Sequence, residues 1–340
     1  MKKIYAVIMA GGQGERYWPL THKNFPKYQI KLDGKYSLLQ KTYERLSKVY
    51  SKERVFIVTT RDHLGMIFQE LPRLKKSHVF VEPARKNTAP AILLSSSMIQ
   101  RRFGEDAVVS FYPADHLIQN ESLFRKTIEN AARLASKEEA LVTIGIKPTF
   151  PATGYGYIHA GRRLRGFADA YRVARFTEKP SYRVACRYLK KGGYYWNGGI
   201  FTWRAGVFLK TLKNFSPEFY NAFDLSSVEA SYRRLPRLSI DYALLEKAGN
   251  MAVIRTAMDW CDMGSWDMFL EKARRDHNKN FVHGKAHGRE FRDSLILNYG
   301  KNPLITLGIS GLIVVQTERG TLICKRGRSE EAALLAKDRG

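Results

Sequence analysis

Cysteine is scarce in this chain: three in 340 residues, Cys186, Cys261 and Cys324, far apart and odd in number. No paired disulfide framework can be drawn from them and no CxxC pair offers a zinc site, so a reducing compartment is the expected home. Long apolar runs are missing as well. No stretch reaches the roughly 18 apolar residues that a membrane helix requires. The segment Ile4-Tyr5-Ala6-Val7-Ile8-Met9-Ala10 behind Met1-Lys2-Lys3 is too short for a secretory signal and runs straight into glycines, so it reads as the first strand of a cytoplasmic protein. Acidic residues are few: 32 Asp and Glu against 57 Lys and Arg leave a net charge of +25. Such an excess points to a polyanionic partner, whether nucleic acid, anionic lipid or a phosphate-rich substrate. A hydrophobic fraction of 44% argues against disorder, and there is neither a low-complexity tract nor a nameable repeat.

Short β-rich apolar runs recur at 4–10, 55–59, 78–81, 108–112 and 141–145, with helical periodicity between them at about 38–48, 61–71, 88–102 and 121–135. This alternation predicts βαβ units and a mainly parallel, doubly wound sheet, in which ligands sit at the carboxyl ends of the strands. After Pro151 the texture changes to Gly- and Tyr-rich segments, with antiparallel-looking strands near 171–178 and 199–203, suited to a substrate lobe over about 151–262. From 281 the chain turns to short strands at 293–299, 304–308, 312–316 and 321–325, then a terminal helix near 329–337. The expected organisation is a catalytic part over 1–280 and a small β-rich part over 281–340.

Several features carry no site. His283 and His287 are four apart, but neighbouring glycines deny them a helix and no third ligand stands nearby. Asn120-Glu121-Ser122 fits a glycosylation acceptor without meaning in a cytoplasmic protein. Arg162-Arg163-Leu164-Arg165 and Arg233-Arg234 lack interleaved aromatics and read as solvated faces.

Chemistry gathers at the ends of strands. The first strand leads into Ala10-Gly11-Gly12-Gln13-Gly14-Glu15-Arg16-Tyr17-Trp18-Pro19-Leu20, where three glycines in four positions let backbone amides crowd around a phosphate. Arg16 and Lys27 would add positive charge to the same anion; the plainer alternative is a Gly-rich turn. Asp115, just after the strand 108–112, is either a helix N-cap or a carboxylate that needs a cation to sit near phosphates. Asp262 taken alone is an ordinary turn aspartate.

The loop, followed by Phe25-Pro26-Lys27, resembles the signature of the sugar-1-phosphate nucleotidylyltransferases, most closely the branch that guanylylates mannose 1-phosphate. Further segments agree in order: Glu82-Pro83 with Lys86-Asn87-Thr88-Ala89-Pro90-Ala91, Pro113-Ala114-Asp115-His116, Thr153-Gly154-Tyr155-Gly156-Tyr157-Ile158, Phe176-Thr177-Glu178-Lys179-Pro180, Trp196-Asn197-Gly198-Gly199, Ser239-Ile240-Asp241-Tyr242-Ala243, and Trp260-Cys261-Asp262-Met263-Gly264-Ser265-Trp266. The match spans most of residues 1–270. It implies a Rossmann-like, doubly wound mixed α/β sheet with a short left-handed β-helix-like C-terminal domain able to pair two copies. The longer relatives carry an isomerase domain, for which the chain ends too early, so a single activity is expected.

The resemblance implies transfer of GMP from GTP to mannose 1-phosphate with Mg²⁺ as cofactor, and no nucleic-acid or membrane partner. It places Ala10, Gly11, Gly12, Gly14, Asn87, Thr88, Ala89, Pro113 and Ala114 on the nucleotide. Gly154, Glu178, Lys179, Asn197 and Asp241 would hold the sugar phosphate, Asp115 and Asp262 the metal, and Arg16, Lys27 and Lys179 would serve catalysis. Rival readings are a basic nucleic-acid-binding protein, a catalytically silent nucleotide sensor, and an enzyme for another hexose or heptose 1-phosphate.

Overall fold

The computed structural model describes residues 4–12 and 14–337. Met1–Lys3, the basic tip ahead of the first strand, lies outside the described residues, as do Gln13 and 338–340. The described strands are β1 (Ile4–Met9), β2 (Val55–Thr60), β3 (Val79–Glu82), β4 (Val108–Pro113), β5 (Leu117–Ile118), β6 (Leu141–Ile146), β7 (Tyr157–Arg163), β8 (Ala170–Thr177), β9 (Tyr194–Arg204), β10 (Met251–Thr256), β11 (Trp260–Cys261), β12 (Phe281–Gly284), β13 (Ala286–Arg289), β14 (Leu295–Asn298), β15 (Leu304–Leu307), β16 (Leu312–Thr317) and β17 (Gly320–Lys325). Four of the helices match the periodic segments: α1 (Leu38–Tyr50), α2 (Leu64–Glu70), α3 (Thr88–Phe103) and α4 (Glu121–Lys137).

The chain folds into two compact units. The first contains the start of the chain through Gly11, Thr42–Ala114 and Ile118–Trp260; the second contains Gly12–Lys41, Asp115–Leu117 and the chain from Cys261 onward.

In the first unit nine strands form one mixed sheet in the order β3-β2-β1-β4-β9-β6-β10-β8-β7. β1 pairs in parallel with β2 and β4, and β2 with β3, while β9 inserts antiparallel between β4 and β6. β2 is buried at all six residues, as a strand covered on both faces must be. α4 shows why helix follows strand. Asn120 Oδ1 caps it by accepting from Leu123 N at 3.0 Å, and Phe124, Thr127, Ile128, Ala131, Leu134 and Ala135 recur on one buried face. The glycosylation-like triplet is therefore a helix start.

In the second unit the C-terminal strands stack in coils. β12, β14 and β16 pair in parallel, with Phe281 opposite Leu295 and Leu295 opposite Ile313, and β13 pairs in parallel with β15. β14, β15, β16 and β17 fall where the alternation predicts. β12 and β13 do not, because Phe281–Gly284 and Ala286–Arg289 are mostly exposed and polar and carry glycine, so they lack the apolar alternation that marks a half-buried strand. Leu295, Leu297, Ile313, Val315 and Leu322 share one buried cluster with Tyr17, Leu20, Ile30, Leu32, Leu38, Trp266 and Phe269. The signature loop after Gly12 and the late strands thus rest on a single core.

Candidate active site

Of the expected nucleotide residues, the first unit carries Ala10 and Gly11 after β1, Pro113 and Ala114 at the end of β4, and Asn87, Thr88 and Ala89 at the start of α3, while Gly12 and Gly14 belong to the second unit. Ala10 is pinned on both sides: its N–H donates to Val58 O at 2.9 Å, and its carbonyl accepts from Thr59 Oγ1 at 2.7 Å. Ala114 N donates to Met9 O at 3.1 Å, one step past the pairing of Met9 with Pro113. Asn87 adopts a φ of +70° and its Oδ1 accepts from Thr88 N at 2.8 Å, capping α3. Thr88 Oγ1 accepts from Ile240 N at 2.9 Å and Ala89 N donates to Leu238 O at 3.1 Å, so the 87–89 segment is tied to the segment that leads into Asp241.

Glu82, the last residue of β3, stands outside the expected site residues. It is 4% exposed, and its Oε1 accepts from the buried Tyr232 hydroxyl at 3.0 Å. A Cβ on Gly11 would stand 3.7 Å from Glu82 Oε2, so the absence of that side chain leaves the second carboxylate oxygen facing the β1 end. Burial pushes the Glu82 carboxyl up to about 7, against the opposing pull of the Tyr232 hydrogen bond and Arg85. Arg85 Nη2 lies 3.1 Å from His63 Nε2, and burial together with Arg85 lowers the His63 pKa. The available signal was a strand otherwise composed of Val and Phe that ends in a glutamate.

The expected sugar residues also meet in the first unit. Asn197 Nδ2 donates to Asp241 Oδ1 at 3.0 Å, and Asn197 Oδ1 accepts from Thr143 Oγ1 at 2.9 Å and from Gly199 N at 3.2 Å. That fixes the amide orientation. Asp241 opens a single π-helical turn, Asp241–Leu245, a widened geometry found often at functional sites. Burial raises the carboxyl of Asp241. Burial and then Asp241 raise Glu178 to about 7, with Lys179 opposing and Glu246 adding to the rise. Lys179 is exposed, with a φ of +45° and its Nζ 3.7 Å from Glu178 Oε1. Gly154 has open space around it. A Glu178 carboxyl poised between charged and neutral forms beside a fixed amide can both accept from and donate to sugar hydroxyls.

The second unit holds the charged cluster. Lys27 is 8% exposed, and its ammonium donates to Asp115 Oδ2 at 2.6 Å and to the Asp262 carbonyl at 2.7 Å. Arg16 Nη2 lies 3.9 Å from Asp262 Oδ2, and Arg16 Nη1 lies 3.5 Å from Glu330 Oε1 in the last helix, Ser329–Lys337. Gly14 is required where it stands: its φ is +72°, and a Cβ would meet Lys27 Cβ at 2.3 Å. Gly12 has open space. Burial alone would raise the Asp115 carboxyl, but Lys27 and then His116 overcome it and hold the group below its ordinary value. Asp115 is therefore a carboxylate at neutral pH. The tertiary fold brings Arg16, Lys27, Asp115 and Asp262 together, a grouping that no sequence spacing reveals.

Among the described residues no group of three or more His, Cys, Asp and Glu gathers to hold a metal. Two carboxylates with hard oxygen donors nonetheless suit Mg²⁺, which commonly takes one or two protein carboxylates and fills its octahedron with water and phosphate oxygens. No helix among the described residues is long and apolar enough to cross a membrane.

The sequence model of the nucleotidyl transferase family matches residues 5–279. The mannose-1-phosphate guanylyltransferase RfbM of Salmonella typhimurium is 37% identical over 336 residues, covering 94% of this chain and 69% of the relative. The mannose-1-phosphate guanylyltransferase of Escherichia coli K12 is 35% identical over 347 residues, covering 97% of this chain and 72% of that one. A crystal structure of a mannose-1-phosphate geranyltransferase from Thermus thermophilus, 31% identical, superposes with a TM-score of 0.88 over 99% of both chains. The chain belongs to the nucleotidyl transferase family, among the mannose-1-phosphate guanylyltransferases.

Proposed function

We propose that the protein transfers GMP from GTP to α-D-mannose 1-phosphate, forming GDP-mannose and pyrophosphate. The observation that carries the reaction class is the cluster of Lys27, Asp115, Asp262 and Arg16: a buried lysine and an exposed arginine set against two half-buried carboxylates, with Gly14 packed on the lysine stem. The reaction needs no general base. The second pKa of a phosphate ester is near 6, so the sugar phosphate is largely dianionic at neutral pH. One of its oxygens attacks the α-phosphorus in line, the P–O bond to the β-phosphate breaks, and that electron pair leaves with pyrophosphate. Catalysis is then positioning and charge neutralisation. Lys179 holds the attacking phosphate; Arg16 and Lys27 stabilise the departing pyrophosphate. In this reading Asp115 and Asp262 would hold a divalent cation, Mg²⁺, which would supply charge neutralisation at the α-phosphate.

Glu82 supports guanine as the base. Guanine presents two adjacent donors, N1–H and the 2-amino group, and a carboxylate with one oxygen turned toward Gly11 suits that pair. Glu82→Gln is expected to lower kcat/KM for GTP and to erase the preference for GTP over ITP, which lacks the 2-amino group. That preference should be at least about tenfold in the wild type, since a hydrogen bond to a charged group contributes about 1.5–3 kcal/mol. An unchanged GTP-to-ITP ratio in Glu82→Gln would assign Glu82 a purely structural role.

The same group sets opposite pH trends. With its folded pKa raised to about 7 from 4.5, Glu82 adds to fold stability fully below pH 4.5, and that contribution is lost as pH rises through 7. The ionised form reads guanine, so GTP affinity should rise over the same interval. Thermal melting and GTP titration between pH 5.5 and 8.5 check both trends: in Glu82→Gln the rise in GTP affinity should flatten, and the melting trend should shrink to the part that Glu178, also raised to about 7, supplies.

Glu178, Asn197 and Asp241 bind the mannose hydroxyls, with Gly154 offering its backbone. We assign nucleotidylyl transfer to residues 1–280, with 151–262 as the sugar lobe, and to 281–340 a small β-rich addition able to pair two copies; the setting is cytoplasmic. The reading is tested by pyrophosphate release with Mg²⁺, crossing GTP, UTP, dTTP, ATP and CTP with mannose, glucose and related 1-phosphates. Failure of GTP with mannose 1-phosphate beside success of another pair would overturn the substrates and leave the reaction class standing.

A further inference from the structure

Lys27 has a position that assisting a departing pyrophosphate does not by itself require. Its ammonium is buried and donates both to the Asp115 carboxylate, at 2.6 Å, and to the main chain of Asp262, at 2.7 Å. The lysine stem is held in place as well. It packs where a side chain on residue 14 would otherwise be, 2.3 Å from the Cβ that Gly14 lacks, and its Nζ stands 6.0 Å from the centre of the Tyr17 ring. Asp262 has its own cation, Arg16, at 3.9 Å. Both carboxylates that would hold a divalent cation are thus already met by protein cations, and the closer contact is made by the buried one, Lys27. A divalent ion arriving at the half-buried Asp115 carboxylate meets a fixed, buried ammonium a few ångströms away, and the two like charges repel. A triphosphate changes that balance, because its oxygens offer the same ammonium a stronger set of acceptors.

We propose that Lys27 guards Asp115, so that the free protein takes up divalent metal weakly and the metal is admitted together with the nucleoside triphosphate. The proposal rests on the assignment of Asp115 and Asp262 as metal carboxylates, and adds to it an order of binding. Charge, not shape, does the guarding. A neutral side chain of similar length opens the carboxylate, and an arginine keeps it closed.

The test reads metal binding without turnover. Full-length protein free of nucleotide is titrated with Mn²⁺ at constant ionic strength, with free Mn²⁺ followed by electron paramagnetic resonance. Lys27→Met and, as a second neutral replacement should methionine impair folding, Lys27→Gln are expected to bind Mn²⁺ at least about tenfold more tightly than the wild type. Lys27→Arg should stay within about threefold of the wild type. The gain should vanish in Lys27→Met combined with Asp115→Asn. Equal or weaker Mn²⁺ binding by the folded neutral variants, with folding checked by circular dichroism, overturns the guard and leaves the metal assignment intact. A gain that survives Asp115→Asn overturns the metal assignment and the guard together, while pyrophosphate release by the wild type reports separately on the proposed reaction.

Discussion

Replacing Asp115 by asparagine is expected to lower the turnover of pyrophosphate release by about two to three orders of magnitude, the scale seen when one preorganised transition-state contact is removed. The substitution keeps the side-chain shape and removes only charge. Asp115 is half-buried and is held ionised by Lys27 and His116, so its negative charge is available at neutral pH. In the proposed mechanism it is half of a two-carboxylate metal set, and an amide oxygen is a far poorer partner for a hard cation. The Mg²⁺ concentration needed for half-maximal rate should also rise, and excess Mg²⁺ should restore only part of the activity. Lys27 loses its ion pair in this variant but keeps the Asp262 carbonyl at 2.7 Å, so the thermal midpoint should fall by a few degrees at most. Turnover within threefold of the wild type, at saturating Mg²⁺, would remove Asp115 from the catalytic set.

Deleting residues 281–340 should abolish activity by a different route. Leu295, Leu297, Ile313 and Val315 are fully buried and Leu322 nearly so, in the same cluster as Tyr17, Leu20, Ile30, Leu32, Leu38, Trp266 and Phe269. Burying each large aliphatic side chain contributes about 1.5–3 kcal/mol, so the five together supply about 7–15 kcal/mol. That is comparable to the whole stability of an ordinary domain, about 5–15 kcal/mol. The start of the last helix and the turn before it add polar ties: Asp267 Oδ1 accepts from Gly327 N at 2.6 Å and Asp267 Oδ2 from Ser329 N at 3.2 Å. Without these strands the loop bearing Gly14 and Arg16 and the turn bearing Asp262 lose their floor. The shortened protein should be recovered poorly, melt without a sharp transition, and release no pyrophosphate. A shortened protein that melts cooperatively near the full-length temperature and turns over would show that 281–340 only pairs two copies.

Much of the fold is legible along the chain. The βα alternation over 4–145 announces β1 to β4, β6 and the four helices, because a strand or helix buried on defined faces leaves a local period in its own residues. α3 is the clearest case: Asn87 caps it, and its apolar residues run in helical register. β9 is less legible. The sequence marks a strand only near 199–203 and leaves 194–198 as part of a Gly- and Tyr-rich segment, yet one strand runs from Tyr194 through Arg204 and pairs with three neighbours, because sheet pairing supplied the order that local composition did not. The candidate site divides in the same manner. The glycines, Lys27, Asp115 and Lys179 stand in motifs short enough to recognise, whereas the burial of Glu82 and the fixed amide of Asn197 depend on residues far away in sequence.

Charge marks the boundary between what the sequence alone determined and what required the tertiary structure. Composition established the +25 excess, the lack of a disulfide framework and the strand-helix alternation, since each is a property of residue counts or of neighbours along the chain. Which cations matter was decided only by folding. Lys27 is buried against Asp115, and Arg16 reaches Asp262, while Arg162, Arg163 and Arg165 remain exposed on a hairpin. Burial and proximity set the strength of a charge-charge contact, and both are consequences of long-range packing, which sequence spacing does not encode.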